Sequence, residues 1–115
     1  MRVKSEIWVQ AYLRRCQAEG VSVVVARRGD EHAGAIYICI NRLDGTVNLY
    51  GPAPAGLEAS NIERLWASCF AANIVTEAEA ASYLARQQNF DPDIWILEVE
   101  DKAGRHFLGD DAVRD

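Results

Sequence analysis

Apolar residues near the start of the chain recur at the spacing of an α-helix. They fall at positions i, i+3, i+4 and i+7, which places them on one buried stripe: Val9, Tyr12, Leu13 and Cys16. We expect Ser5 to cap the first turn, because serine is a favoured N-cap residue. Gly20 is expected to end the helix.

Three short strands are predicted to follow this helix. Residues 21–26 form a valine-rich run with little polar surface, which is typical of a strand covered on both faces. Residues 35–43 and 46–50 flank the pair Asp44-Gly45. That pair favours a type I′ turn, because both central residues of the turn need positive φ. The sequence therefore predicts a β-hairpin at this point.

Residues 61–72 fit two different structures. As a helix, the segment would begin at a capping box formed by Ser60 and Glu63. As a strand, it would extend the preceding hairpin into a meander. The spacing of the apolar residues leaves both possibilities open.

A second helix and a last strand complete the pattern. Thr76 and Glu79 form a capping box, and Asp91-Pro92 ends the helix because the residue before proline avoids the α region. The first half of residues 94–100 is apolar on both faces, which indicates a strand in the interior of a sheet, with Trp95 in the core.

This order predicts an α+β fold, with one domain over residues 1–108 and a flexible acidic tail over residues 109–115. The sheet is expected to be mostly antiparallel, with four to five strands and two helices in the order α-β-β-β-(β)-α-β. Two helices on one face would leave the other face of the sheet exposed. We therefore expect a homodimer that buries the second face.

Charge and cysteine content narrow the function classes. Residues 1–50 carry a net charge of +2 and residues 51–115 carry −7, giving −5 in total. Nucleic-acid-binding domains are usually basic, so this acidic net charge argues against nucleic-acid binding. Three cysteines without paired spacing indicate a reducing cytoplasm rather than a disulfide framework. No run approaches the roughly 18 apolar residues of a membrane span, so we expect no membrane association.

Glu98 and Glu100 form the first candidate site. Two positions apart on a strand, they share a face at about 7 Å and could hold Mg²⁺. Glu100 and Lys102 also read as the acid-x-Lys motif of metal-dependent nucleases. That motif belongs on the third strand of the nuclease core, whereas here it ends the last strand. The alternative, which we favour, is that the carboxylates mark the emergence of the strand into water.

Arg27, Arg28 and Asp30 form the second candidate site. Two guanidiniums beside a glycine could bind a phosphate or a carboxylate, with Arg14 and Arg15 contributing if the first helix ends nearby. The loop opens onto a strand, however, and lacks the backbone donors of a phosphate cradle. The favoured alternative is a surface turn in which Asp30 pairs with an arginine. The two histidines are isolated, so no metal or other cofactor is predicted.

Several stretches of the chain resemble a small bacterial family known as domain of unknown function 1491. The resemblance covers nearly the whole chain and is carried by four stretches: Arg27-Arg28-Gly29-Asp30, Asn41-Arg42-Leu43-Asp44-Gly45, Leu49-Tyr50-Gly51-Pro52-Ala53-Pro54, and the run from Phe90-Asp91-Pro92-Asp93-Ile94-Trp95 through Glu98-Val99-Glu100-Asp101. It implies a strand near Trp66, and it implies no activity.

These observations give three functional hypotheses. The leading one is a non-enzymatic interaction or accessory module that binds an unknown protein partner or a second copy of itself. The alternatives are a metal-dependent phosphodiesterase that uses Glu98 and Glu100, and an anion-binding regulator that uses Arg27 and Arg28.

Overall fold

The computed structural model describes residues 3–54 and 64–114. These residues form two helices, α1 (Ser5–Ala18) and α2 (Glu77–Phe90). They also form seven strands: β1 (Ser22–Arg27), β2 (Ile36–Asn41), β3 (Thr46–Pro52), β4 (Trp66–Ser68), β5 (Ile74–Thr76), β6 (Trp95–Glu100) and β7 (Val113–Arg114). The α+β class and the two helices are as predicted.

The strands form one mixed sheet in the order β1-β6-β2-β3-β4-β7, with β5 paired to β3. The pairs β2–β6 and β4–β7 are parallel, and the others are antiparallel. The prediction of a mostly antiparallel sheet with four to five strands was therefore wrong. α2 returns the chain so that β6 enters the sheet parallel to β2, between β1 and β2. β5 and β7 are only three and two residues long, too short to show a sequence pattern.

The two helices pack on opposite faces of the sheet. On the α1 face, Val9, Tyr12 and Cys16 meet the inward residues of the central strands, Trp95 and Leu97 among them. On the α2 face, Ala80 and Leu84 pack against alternate residues of the same strands, such as Ile96, and against Ile94, which directly precedes β6. Trp95 is 1% exposed, which confirms its place in the core. The expectation that both helices share one face was wrong, so an uncovered sheet face no longer supports the homodimer.

Ser5 does not cap α1. It is the first helical residue, and Lys4 at the N-cap makes no side-chain bond. The buried Ser5 hydroxyl instead donates to the backbone oxygen of Gly34 at 2.6 Å. Backbone oxygens of Glu31 and His32 accept the first N–H groups of the helix, at 3.0 and 3.1 Å. The loop that precedes β2 therefore caps α1, which is a tertiary contact that local sequence does not encode.

The hairpin between β2 and β3 is present, but its turn is not of type I′. Arg42 N–H donates to the backbone oxygen of Thr46 at 3.0 Å, so three residues form the loop. Positive φ occurs at Leu43 (64°) and Gly45 (88°). Asp44 instead accepts the Thr46 N–H on its side chain at 2.9 Å. The Asp44 side chain thus bonds the backbone two residues on, as Asp does in an Asx-turn.

The second half of the chain follows the sequence more closely. The Thr76/Glu79 capping box is present, and α2 ends at Phe90 directly before Asp91-Pro92. Trp66–Ser68 is a strand, as the resemblance implies. The proposed cap at Ser60 and Glu63 lies outside the described residues.

The segment after residue 108 has structure that the sequence pattern did not indicate. Asp110–Ala112 form a 3-10 turn, and β7 pairs in parallel with β4. Ala112 and Val113 pack against the core on the α1 face.

Candidate functional site

Glu98 and Glu100 lie on the same face of β6, as their spacing predicts, and both side chains are exposed. They follow Ile96 on the α2 face, beyond the part of that face that α2 covers. Lys102 is exposed in the turn after the strand. Among residues 3–54 and 64–114, no group of three or more histidine, cysteine or acidic side chains is placed to hold a metal ion. The arrangement fits solvated carboxylates; a catalytic role for them stays an untested hypothesis.

The neighbouring Asp101 has a structural partner. It is 8% exposed and accepts hydrogen bonds from the backbone N–H and the guanidinium of Arg105, at 2.7 to 3.1 Å. The hydrogen bonds from the Arg105 side chain hold the pKa of Asp101 below its usual value. This carboxylate therefore fixes the turn that ends β6 and is not turned toward Glu100.

The cysteines of the described chain are poor nucleophiles. Burial, together with the nearby charges of Glu98 and Glu77, raises the pKa of Cys39 to about 12. Burial likewise raises the pKa of Cys69 to about 11 and also raises that of Cys16. Because the thiolate is the reactive form, these side chains are unreactive at neutral pH.

Arg27 and Arg28 each have a partner within the fold. The Arg27 guanidinium donates to the backbone oxygen of Ile94 at 2.7 Å. Arg28 forms an ion pair with Glu6 of α1, and its guanidinium lies 5.1 Å from the centre of the Trp95 ring. Arg15 lies near the other end of α1, where it donates to the backbone oxygen of Phe107. Arg27 and Arg28 thus attach the loop, Arg15 contacts a different segment, and the three guanidiniums do not converge on a common ligand position.

Asp30 shapes the loop rather than pairing with an arginine. Its carboxylate accepts the backbone N–H groups of His32 and Ala33, which lowers its pKa. Its own N–H donates to the backbone oxygen of Asp93, and its backbone oxygen accepts the Trp95 indole N–H. The favoured reading of this segment as a surface turn describes it well, except for the predicted Asp30–arginine pair.

A cleft of about 440 Å³ lies beside β3 and β4. Its lining residues among those described are Tyr50, Ser68, Phe70, Ala71, Asn73, Val113 and Arg114. No carboxylate, histidine or cysteine is among them, so this cleft brings no acid–base pair together.

The outer edge of β1 is the feature that sequence reasoning missed. β1 is the first strand of the sheet and, within the described parts of the chain, β6 is its only strand partner. The backbone directions on β6 show which groups of β1 are free. Trp95 and Asp101 donate their N–H groups to oxygens of Ala35 and Asn41, toward β2. Because directions alternate along a strand, Glu98 and Glu100 point their backbone groups toward β1.

Val23 and Val25 therefore present their N–H and C=O groups outward. Glu98 pairs with Val24 and Glu100 with Ser22, so those two β1 residues use their backbone groups inward. The Val24 side chain is 54% exposed and that of Val25 is 38% exposed. Residues 22–26 contain no charged residue and no proline. Both are features that commonly prevent another strand from pairing with the edge of a sheet. The pairing of β1 with β6 is regular except for a shift of register between Val25 and Arg27, as in a β-bulge.

The prediction that residues 21–26 are covered on both faces was thus wrong. A valine run without charges is typical of a buried strand, and the same pattern occurs here on a strand at the edge of the sheet with exposed valine side chains. No local signal separates the two, because the difference lies in where the strand enters the sheet.

The fold defines a class of small α+β protein with a mixed sheet and one helix on each face. The model of the family "Protein of unknown function (DUF1491)" matches residues 3–109. The chain belongs to this family.

Solved structures of bacterial proteins agree with this assignment. A crystal structure of a DUF1491 family protein from Caulobacter crescentus is 35% identical with a TM-score of 0.80, and the match covers 100% of both chains. An NMR structure of a DUF1491 family protein from C. crescentus is 37% identical, with a TM-score of 0.78 over 100% of this chain and 99% of that one. A solution structure of an A. tumefaciens protein is 39% identical, with a TM-score of 0.73 over 87% and 86%. A comparison with curated proteins finds no match. Within the described residues, no helix has the length and apolar character needed to cross a bilayer.

Proposed function

We propose that this protein is a non-enzymatic interaction module that binds an extended segment of a partner along the open edge of β1. The observation that carries the proposal is the outward direction of the Val23 and Val25 backbone groups, in a stretch of the edge, residues 22–26, that contains no charged residue and no proline. An added strand would satisfy these groups, as in other proteins that bind peptides by extending a sheet.

The side chains of the edge support the same function. Val24 and Val25 expose apolar surface along the edge strand, where an added strand could cover it. β7, at the opposite end of the sheet, is two residues long and offers too few backbone groups for a comparable partner. The three cysteines are unpaired, which supports a cytoplasmic location.

Site-specific photo-crosslinking in the native cell tests this function. A photoreactive amino acid at position 24 should give discrete adducts with a protein partner. The same amino acid at Ala85, an exposed position on α2, is the matched control and should give none. Equal labelling at both positions, or no adduct at position 24 either in the cell or in concentrated purified protein, would overturn the proposal.

A further inference from the structure

We infer that the strand which completes the β1 edge is β1 of a second copy of this chain, paired antiparallel about a two-fold axis at Val24. This inference rests on the proposed function and names its partner. Antiparallel pairing of identical strands about a two-fold axis generates a closed dimer, because both copies use the same surface and every contact off the axis occurs twice.

The register follows from the backbone groups that are available. Val21 N–H is already donated to the backbone oxygen of Cys16, so a register that relies on Val21 as a donor leaves a bond unmade. Centring the pair on Val24 places Val23 opposite Val25 in both directions. Each such pair exchanges two hydrogen bonds, so all the outward groups of Val23 and Val25 are satisfied.

The side chains agree with this register. In an antiparallel pair centred on Val24, the two Val24 residues form a pair without direct hydrogen bonds, in which side chains come closest together. Val24 is the most exposed valine of the strand, and the dimer would cover it with its own copy. Ser22 would face Ala26, so the contact holds no buried charge.

The charges at the ends of the strand are complementary under the same symmetry. Arg27 and Arg28 follow the uncharged segment, while Glu19 precedes it and Glu100 lies opposite Ser22 on β6. Antiparallel pairing brings the Arg27 and Arg28 end of one copy to the Glu19 and Glu100 end of the other, twice, so like charges do not meet at either end of the strand pair. The two Glu98 carboxylates would be about three strand spacings apart, roughly 14 Å. At that distance, salt screens most of their repulsion.

The expected dimer is weak. β1 has six residues, and one strand pair of this length buries less than the roughly 1,200 Å² at the low end of stable interfaces. Light scattering on the purified chain should therefore show the 12.8 kDa monomer at low micromolar concentration and a shift toward twice that mass as the concentration approaches millimolar. Val24→Lys should abolish the shift by placing like charges at the axis. Ile7→Lys, at an equally exposed position on α1, should leave it unchanged.

Disulfide trapping tests the register. The introduced thiols of Val24→Cys would meet at the two-fold axis with Cα atoms about 4.5 Å apart, which suits a disulfide. Mild oxidation should give a linked dimer whose bridge, mapped by mass spectrometry, joins the two introduced positions. Wild-type protein, with its three native cysteines, and Ile7→Cys should remain unlinked under the same conditions.

The results separate this inference from the proposed function. A monomer at every concentration together with no trapping at position 24 overturns the homodimer. If a different protein is still crosslinked at position 24 in cells, the interaction function stands with another partner. A bridge that forms only between mixed Ser22→Cys and Val24→Cys chains would overturn the register about Val24.

Discussion

The indole Nε1 of Trp95 donates a hydrogen bond to the backbone oxygen of Asp30 at 2.8 Å. This bond connects β6 to the loop that follows β1. Because the same loop also accepts the first N–H groups of α1, Trp95 ties together the sheet, the loop and the helix.

We expect Trp95→Ala to lower the free energy of unfolding by about 3 to 5 kcal/mol, since it leaves a large cavity in the core. Trp95→Phe keeps most of the packing and loses the hydrogen bond to Asp30, so this variant should lower the free energy of unfolding by about 1 to 2 kcal/mol. Denaturant titration measures both values. A loss of less than about 1 kcal/mol in Trp95→Ala would place the side chain outside the core.

Gly29 is expected to be intolerant of a side chain. A Cβ added there would lie 2.2 Å from the backbone oxygen of Asp93, and backbone cannot move aside easily. Gly29→Ala should therefore cost about 3 kcal/mol by thermal or denaturant unfolding. Gly20→Ala is the control: it has open space but φ of +74°, and should cost about 1 kcal/mol. Equal costs would show that the loop does not approach Asp93 as described.

Asp101 should make stability depend on acidic pH. Its hydrogen bonds with Arg105 hold its pKa in the folded protein below the usual 3.8. Its stabilising contribution is therefore fully present above that value and is lost as the pH falls through the lower, folded-state pKa. Asp101→Asn should flatten the fall of melting temperature in this range, whereas Asp111→Asn, at an exposed position, should not. An unchanged profile in Asp101→Asn would contradict the pairing.

Mg²⁺ or Mn²⁺ should leave the melting temperature unchanged, because Glu98 and Glu100 are exposed and have no third acidic, histidine or cysteine ligand among the described residues. We also expect no cleavage of single- or double-stranded nucleic acid. Differential scanning fluorimetry with Glu100→Gln and the exposed control Glu31→Gln checks this. A thermal shift and cleavage that are both lost only in Glu100→Gln would establish the nuclease hypothesis instead.

The sequence was enough to predict those elements whose boundaries are set by residues within the element or directly next to it. The Thr76 capping box and Asp91-Pro92 act within one helix, and the pattern of residues 94–100 directly reflects burial on two faces. The position of β6 between β1 and β2 depends on how α2 packs, which no short pattern encodes. The open edge of β1 was missed for the same reason. Arg27 and Arg28 suggested a binding site because their partners, Ile94 and Glu6, are distant in sequence.

Amide hydrogen exchange of Val23, Val24 and Val25 tests the open edge most directly. In dilute protein, where the chain is monomeric, the N–H groups of Val23 and Val25 should exchange rapidly while that of Val24, bonded to β6, is protected. Raising the concentration should slow exchange at Val23 and Val25 and leave Val24 almost unchanged. Strong protection of Val23 and Val25 in the dilute monomer would contradict the account, because the chain would then cover this edge by itself.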